Sequence, residues 1–205
     1  MAYSLFVDSS DNLTLGLLDD NLEWLEFKRF SSKKSSGVFH GLVEELLSSH
    51  GKNLFDLDRV FYGAGPGSYT GVRLVEGFCQ ILKWRKIKTN SIYLFELPYI
   101  VGINEGKWLS EAYKGEFFLY SWKDAENNSS LIKKENIDSE LKETDYLVSQ
   151  GNLKNLETNS IVDLIRDNSK AIFQKIIDDD IQREPFYYRT IDKEFTKPKQ
   201  LRSNT

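Results

Sequence analysis

The sequence predicts an α/β protein, and three observations predict it. Short apolar stretches separated by polar turns fill the first thirty residues, helix-like and strand-like runs alternate after them, and a glycine-rich turn joins one apolar run to a helical one. The first stretch, 3–8, ends in Asp8, and the turn Ser9-Ser10-Asp11-Asn12 leads into 13–18. Asp19-Asp20-Asn21 leads into a third strand over 22–30, and such short polar connections argue for antiparallel pairing. A polar loop is expected over 31–36. Val38, Phe39, Leu42, Val43, Leu46 and Leu47 then recur at helical spacing until His50-Gly51. Residues 59–62 read as the next strand. Beyond the turn, Val72, Val75, Phe78, Cys79 and Leu82 form the apolar side of a second helix, and a further strand is expected at 92–95.

The second half repeats the theme less completely. Paired strands are expected at 107–111 and 116–122 around Lys114-Gly115, a polar turn over 123–128, a third strand over 131–137 and a short one over 145–149 before Gln150-Gly151. One helix over 160–177, carried by Ile161, Leu164, Ile165, Ala171, Ile172 and Ile176, closes this half. The division expected is a first lobe over 1–103, an abbreviated second lobe over 104–192, and a basic tail over 193–205 with Lys193, Lys197, Lys199 and Arg202.

Composition bounds the function. The 205 residues are 40% hydrophobic and 13% aromatic, enough for a sizeable core. A net charge of −4 gives no global field to attract nucleic acid, so any RNA contact must be local or supplied by a partner. The N-terminus has no signal pattern, and the longest apolar-rich stretch, 91–103, is broken by Glu96 and Pro98. A soluble, cytoplasmic protein without a membrane partner is therefore expected. One cysteine, Cys79, excludes an internal disulfide and sits among apolar neighbours as a buried thiol would. His40 and His50 lie ten residues apart, so on one helix they point about 80° apart and share no ligand face. No metal site is expected.

The glycine turn Gly63-Ala64-Gly65-Pro66-Gly67-Ser68-Tyr69-Thr70-Gly71-Val72-Arg73 has the chemistry of a helix N-terminus that could cradle an anion. It lacks the Gly-Lys-Ser/Thr ending of a P-loop and the third glycine of a dinucleotide fingerprint, and Ser68 directly follows Gly67 instead of centring a nucleophile elbow. Ser68 or Thr70 as helix N-cap is the simpler role. Asp8, at the end of the first strand with Ser10 nearby, either meets a phosphate through magnesium or caps its own turn.

Gly65, Pro66, Gly67, Ser68, Tyr69, Thr70, Gly71 and Arg73 closely resemble the hallmark run of the bacterial TsaB (YeaZ) family. Leu5 to Ser10 is similar to that family's first strand, Glu111 to Phe118 looks like a drifted form of its second-lobe motif, and Pro185 to Arg189 resembles its late Pro-x-Tyr-Leu-Arg. The resemblance implies an actin-like, ribonuclease H-like (ASKHA) fold with one complete N-terminal lobe and a shortened second lobe. It implies a non-catalytic scaffold for a TsaD-type transferase, acting with a TsaE-type ATPase in threonylcarbamoylation of the adenosine next to the anticodon. In such a system ATP and metal belong to the partners, tRNA is met through the complex, and the isolated chain forms a homodimer. The two first-lobe helices are the family's contact surface, which nominates Phe39, Leu42, Val43, Leu46, Val75, Phe78, Cys79 and Leu82 as a group. The histidine that many family members keep before the first helix is replaced here, by Ser35. Glu111, Tyr113 and Gln80-Ile81 also depart from the family pattern, which weakens nucleotide binding by this chain alone. A stand-alone ATPase or small kinase using Asp8 and the 63–71 turn is the alternative.

Overall fold

The computed structural model describes residues 2–30, 35–112, 115–142, 145–151, 153 and 156–188. The basic tail over 193–205, Arg189 and Tyr113 lie outside the described residues, as does the side chain of Ser35.

The first sheet contains β1 (Tyr3–Asp8), β2 (Leu13–Leu18), β3 (Trp24–Phe30), β4 (Leu57–Gly63) and β5 (Lys88–Ile92) in the order β3-β2-β1-β4-β5. β1, β2 and β3 pair antiparallel, while β4 and β5 run parallel to β1. β2 is buried on both faces, so its sequence reads as a nearly continuous apolar run rather than an alternating one. β3 starts at Trp24, two residues later than its pattern suggests, because Leu22 turns the chain with φ 62. The expected strand over 92–95 is corrected: the strand is the polar segment 88–92, held by pairing with β4. The apolar residues after it form a 3-10 turn (Leu94–Glu96) and a short helix, α3 (Leu97–Ile100).

α1 (Ser35–Ser49) and α2 (Tyr69–Trp84) cover one face of this sheet. α1 begins inside the stretch expected to be loop. Phe39, Val43, Leu46, Val75, Phe78, Cys79 and Leu82 are buried against Leu5, Val7, Leu15 and Val60, with Phe39 and Phe78 edge to face at 5.1 Å. These residues, nominated as a contact surface, are spent on the core of the chain itself. Only Leu42 of the group is partly exposed, because a helix lying on a sheet spends its largest apolar groups on the core, each worth about 1.5–3 kcal/mol. Cys79 is the buried thiol its neighbours suggest, and burial pushes its pKa up.

The second sheet contains β6 (Glu105–Glu111), β7 (Glu116–Lys123), β8 (Glu126–Lys133), β9 (Leu147–Ser149) and β10 (Asn159–Ser160). Its order, β8-β7-β6-β9-β10, repeats the first: three antiparallel strands, then two parallel ones. The third strand lies at 126–133 and not at 131–137. Residues after it form a 3-10 turn (Lys134–Asn136) and α4 (Ile137–Glu140). The expected closing helix breaks in two, α5 (Ile161–Asp167) and α6 (Ser169–Asp178), at Asn168, whose φ of −126 and ψ of 29 leave the helical region.

Phe6 and Phe61 from the first sheet, Trp108 and Phe118 from the second, and Ile165, Ile172 and Phe173 from the closing helices share one apolar cluster. Phe173 lies 4.5 Å from Phe61 and 5.6 Å from Phe6, ring to ring. Residues 181–183 then run beside β5, and the chain continues past the end of β4 to the cleft. Asn90 Nδ2 donates to the Ile181 carbonyl at 3.1 Å, Gln182 Nε2 to the Thr89 carbonyl at 2.6 Å, and the Phe186 N–H to the Ala64 carbonyl at 2.8 Å.

Candidate functional site

The C-terminal ends of β1, β4, β6 and β9 meet around a cleft of about 780 Å³. Parallel strands deliver loop residues to this edge, where open α/β sheets place their sites. Ser10 comes from the β1–β2 turn, Gly67, Ser68 and Tyr69 from the glycine turn, Ser110 and Glu111 from the end of β6, and Tyr188 from the last described segment. The four sequence landmarks, far apart in the chain, thus line one space.

The glycine turn is sewn to the β1–β2 turn. Its Ser68 N–H donates to the Ser10 carbonyl at 2.6 Å. A Cβ on Gly67 would land on that carbonyl, and one on Gly71 would land on the carbonyl of Ser9, so both positions require glycine for close approach. Ser68 Oγ accepts from the Gly71 N–H at 3.3 Å, the N-cap expected of it, and the Ser68 carbonyl accepts from Val72 at 2.9 Å. Tyr69 and Tyr187 pack ring against ring at 4.9 Å, tilted by 43°, with the Arg73 guanidinium over both rings. Packing between two turns accounts for these motif residues, and the donor at Ser68 is committed within the protein.

Asp8 is 3% exposed and lies behind Ser10, which itself faces the cleft. One carboxylate oxygen accepts from the Ser10 N–H at 3.2 Å and from Ser10 Oγ at 2.7 Å. The other accepts from Gln150 Nε2 at 2.8 Å. Burial raises the Asp8 pKa from 3.8 to about 6, opposed by the bonds from Ser10. Of the two roles open to Asp8 in sequence, the turn cap is the one its hydrogen bonds show.

Gln150 and Arg29 were not singled out by the sequence. Gln150 follows the end of β9 as Ala64 follows the end of β4, and topological equivalence is the signal that would have found it. It crosses from the second half onto Asp8 and Ser10, while Arg29 holds its carbonyl at 2.8 Å and Asp11 at 3.0 Å. Ser110 Oγ accepts from Trp108 Nε1 at 3.0 Å and meets the Tyr188 hydroxyl at 2.8 Å, and burial pushes that phenol up to about 12. Arg29, already paired, is the cation among the described lining residues, against Asp11 and Glu111. No group of three His, Cys, Asp or Glu side chains able to hold a metal ion occurs among the described residues. His50 meets Glu26 at 2.8 Å, and His40 is exposed.

Two sheets of identical strand order facing a shared cleft define an actin-like, ribonuclease H-like protein. Within that class the chain is similar to two solved structures from Pseudomonas aeruginosa. One is described as an uncharacterized protein with similarity to peptidase YEAZ, with TM-score 0.65 and 15% identity over 92% of this chain and 100% of that one. The other is YeaZ, with TM-score 0.61 and 17% identity over 87% and 94%. Residues 29–89 match the family model of TsaD, tRNA N6-adenosine threonylcarbamoyltransferase. The tRNA threonylcarbamoyladenosine biosynthesis protein TsaB of Escherichia coli (strain K12) is 44% identical over 39 residues, 19% of this chain and 17% of that protein. The resemblance to the TsaB (YeaZ) family is thereby borne out. No helix among the described residues is long and apolar enough to cross a membrane.

Proposed function

We propose that this chain is a non-catalytic scaffold subunit in tRNA threonylcarbamoyladenosine biosynthesis, docking a TsaD-type transferase and working with a TsaE-type ATPase. The observation that carries the proposal is the joining of the family's hallmark turn to the β1–β2 turn in a cleft with no unpaired cation among its described lining residues. A triphosphate needs cations or a metal to offset its charge, and Asp8 points into the protein, so ATP and metal belong to the partners in this reading. The outer faces of α1 and α2 suit docking instead. Val38 is 47% exposed and Ile81 53%, and beside them Gly37, Gly41 and Gly77 have open space where a Cβ would stand, leaving room for a partner helix to approach closely. In isolation the same face pairs with a second copy.

The decisive experiment mixes the purified chain with the TsaD-type protein of its own organism at micromolar concentration in size-exclusion chromatography. A joint peak is expected, weakened by Val38→Asp with Ile81→Asp. Separate peaks, or retention of threonylcarbamoyladenosine in bulk tRNA after deletion of the gene, would sink the proposal. Calorimetric titration with Mg-ATP is expected to be flat; binding lost in Asp8→Ala would favour the small-kinase reading.

A further inference from the structure

We propose that the opposite end of the first sheet, where α2 ends and β5 begins, is a contact surface for the phosphate backbone of RNA, with Trp84 offered to a base. A hollow of about 460 Å³ there gathers Arg59, Lys83, Lys86 and Lys88, with Asp180 the carboxylate among its described lining residues. Asp180 accepts from Asn90 Nδ2 at 3.4 Å, and none of the three lysines has a carboxylate within ion-pair distance among the described residues. Thr89 forms part of the lining, 6% exposed, and its hydroxyl has no hydrogen-bond partner among the described residues.

The backbone presents these groups deliberately. α2 ends in a Schellman turn, with the Ile87 N–H on the Leu82 carbonyl at 3.1 Å and the Lys86 N–H on the Lys83 carbonyl at 2.9 Å. The left-handed position of that turn, usually glycine, is Lys86 with φ 65. Ile87 turns inward as an anchor while Lys83, Arg85, Lys86 and Lys88 stay exposed. Arg59, half-buried on β4, bonds Asn90 Oδ1 and lies over the Phe61 ring at the floor of the hollow. Complementing the helix dipole explains cations in the last turn of α2 but not Lys88, which comes from β5. Nor does it explain Trp84, 81% exposed, or Phe55, 74% exposed with the Arg85 guanidinium 5.3 Å from its ring. Exposed lysines interleaved with exposed aromatic rings fit a nucleic-acid strand, whose phosphates and base faces alternate, better than an acidic peptide. On a chain of net charge −4 any such attraction must be local, as the lysines at this end make it. The choice of RNA over DNA rests on the tRNA reading above.

Fluorescence anisotropy of a labelled oligouridylate 12-mer and of unmodified bulk tRNA, with the full chain at 50 mM salt and above, tests this. The triple variant Lys83→Ala, Lys86→Ala, Lys88→Ala should lose at least about 10-fold in affinity and flatten the plot of log affinity against log salt by about 2, since each single-strand phosphate contact contributes roughly 0.7. Trp84→Ala should lose about 5-fold or more without changing that slope. The triple Lys→Arg variant should retain binding, and an unchanged melting temperature of the alanine variant shows that it folds. Absence of wild-type binding at 50 mM salt, unchanged affinity and slope in the alanine variant, or equal binding of polyglutamate would overturn the proposal. Loss of threonylcarbamoyladenosine on gene deletion, with RNA binding unaffected by the triple variant, removes this surface and leaves the scaffold role. The reverse pattern removes the role and leaves the surface.

Discussion

The two halves share one strand order but not one covering. In the first, α1 and α2, of 15 and 16 residues, follow β3 and β4 and seal the sheet. In the second, the four-residue α4 follows β8, and no helix among the described residues separates β9 from β10. The buried clusters differ accordingly: seventeen described residues form the core shared by α1, α2 and the first sheet, against six on the outer face of the second sheet. A repeated topology therefore fixes where chains cross, while helix length decides how much apolar surface each half removes from water. The half with long helices has faces to spare for partners, and the other leans on the shared cluster around Phe173.

The sharpest way to break this comparison is Phe173→Ala. Removing the ring that touches Phe6, Trp24 and Phe61 should cost about 3–5 kcal/mol in urea unfolding. Ile137→Ala, in the thin outer cluster, should cost about 2 kcal/mol, the low end of its range. Equal losses would mean that the second half is as well packed as the first.

Asp8, held by Gln150 from the other half, should show itself in pH dependence. Its folded pKa of about 6 exceeds 3.8, so the native state binds the proton more tightly than the unfolded one. This group's contribution is therefore most favourable below about pH 4 and is lost as pH rises to 6, by about 3 kcal/mol. Asp8→Asn should gain stability over wild type above pH 6 by up to about that amount and match it near pH 3.5. A difference that stays flat from pH 3.5 to 8 would remove burial as the cause.

One glycine from each half sharpens the contrast further, Gly71 in the first turn of α2 and Gly151 just past β9. Gly71→Ala should cost about 1–3 kcal/mol as its methyl meets the Ser9 carbonyl. Gly151→Ala, whose methyl would find Asp11 Oδ2 at an ordinary 3.7 Å, should be close to neutral in the same thermal melts. The smallest effect belongs to the helix caps. Ser68→Ala and Ser160→Ala should each lose about 1 kcal/mol, equal in both halves because a cap is local. A clear inequality would tie cap strength to the helix behind it.

Legibility in the sequence followed the source of each element's stability. β1, β2 and α2 declare themselves because burial writes apolar runs into the two strands and an apolar stripe into the helix, and Ser68 writes a start signal. β8, with Asn127, Asn128, Ser129 and Ser130 in its middle, has no such pattern; residue-by-residue pairing with β7 makes it a strand. The break at Asn168 stayed hidden because apolar spacing continues across it, while the Asn168 side chain bonds the Leu164 carbonyl at 3.0 Å. Phe39 and Phe78 suit core and interface equally by composition, and only the sheet beneath them decides. At the cleft the glycine turn was legible as a motif, whereas Gln150 depends on a strand order that no local pattern carries. The run from Lys83 to Lys88 stood in plain view, averaged away by an acidic total.

The segment alongside β5 has one more consequence. β5 is the last strand of its sheet, and an uncovered border strand is a template on which another chain can add itself. Gln182 and Arg183 occupy Thr89 and Ser91 of that border before a stranger can. A protein cut after residue 180 should thus be recovered in pellets more than in solution, its defect one of company rather than of shape.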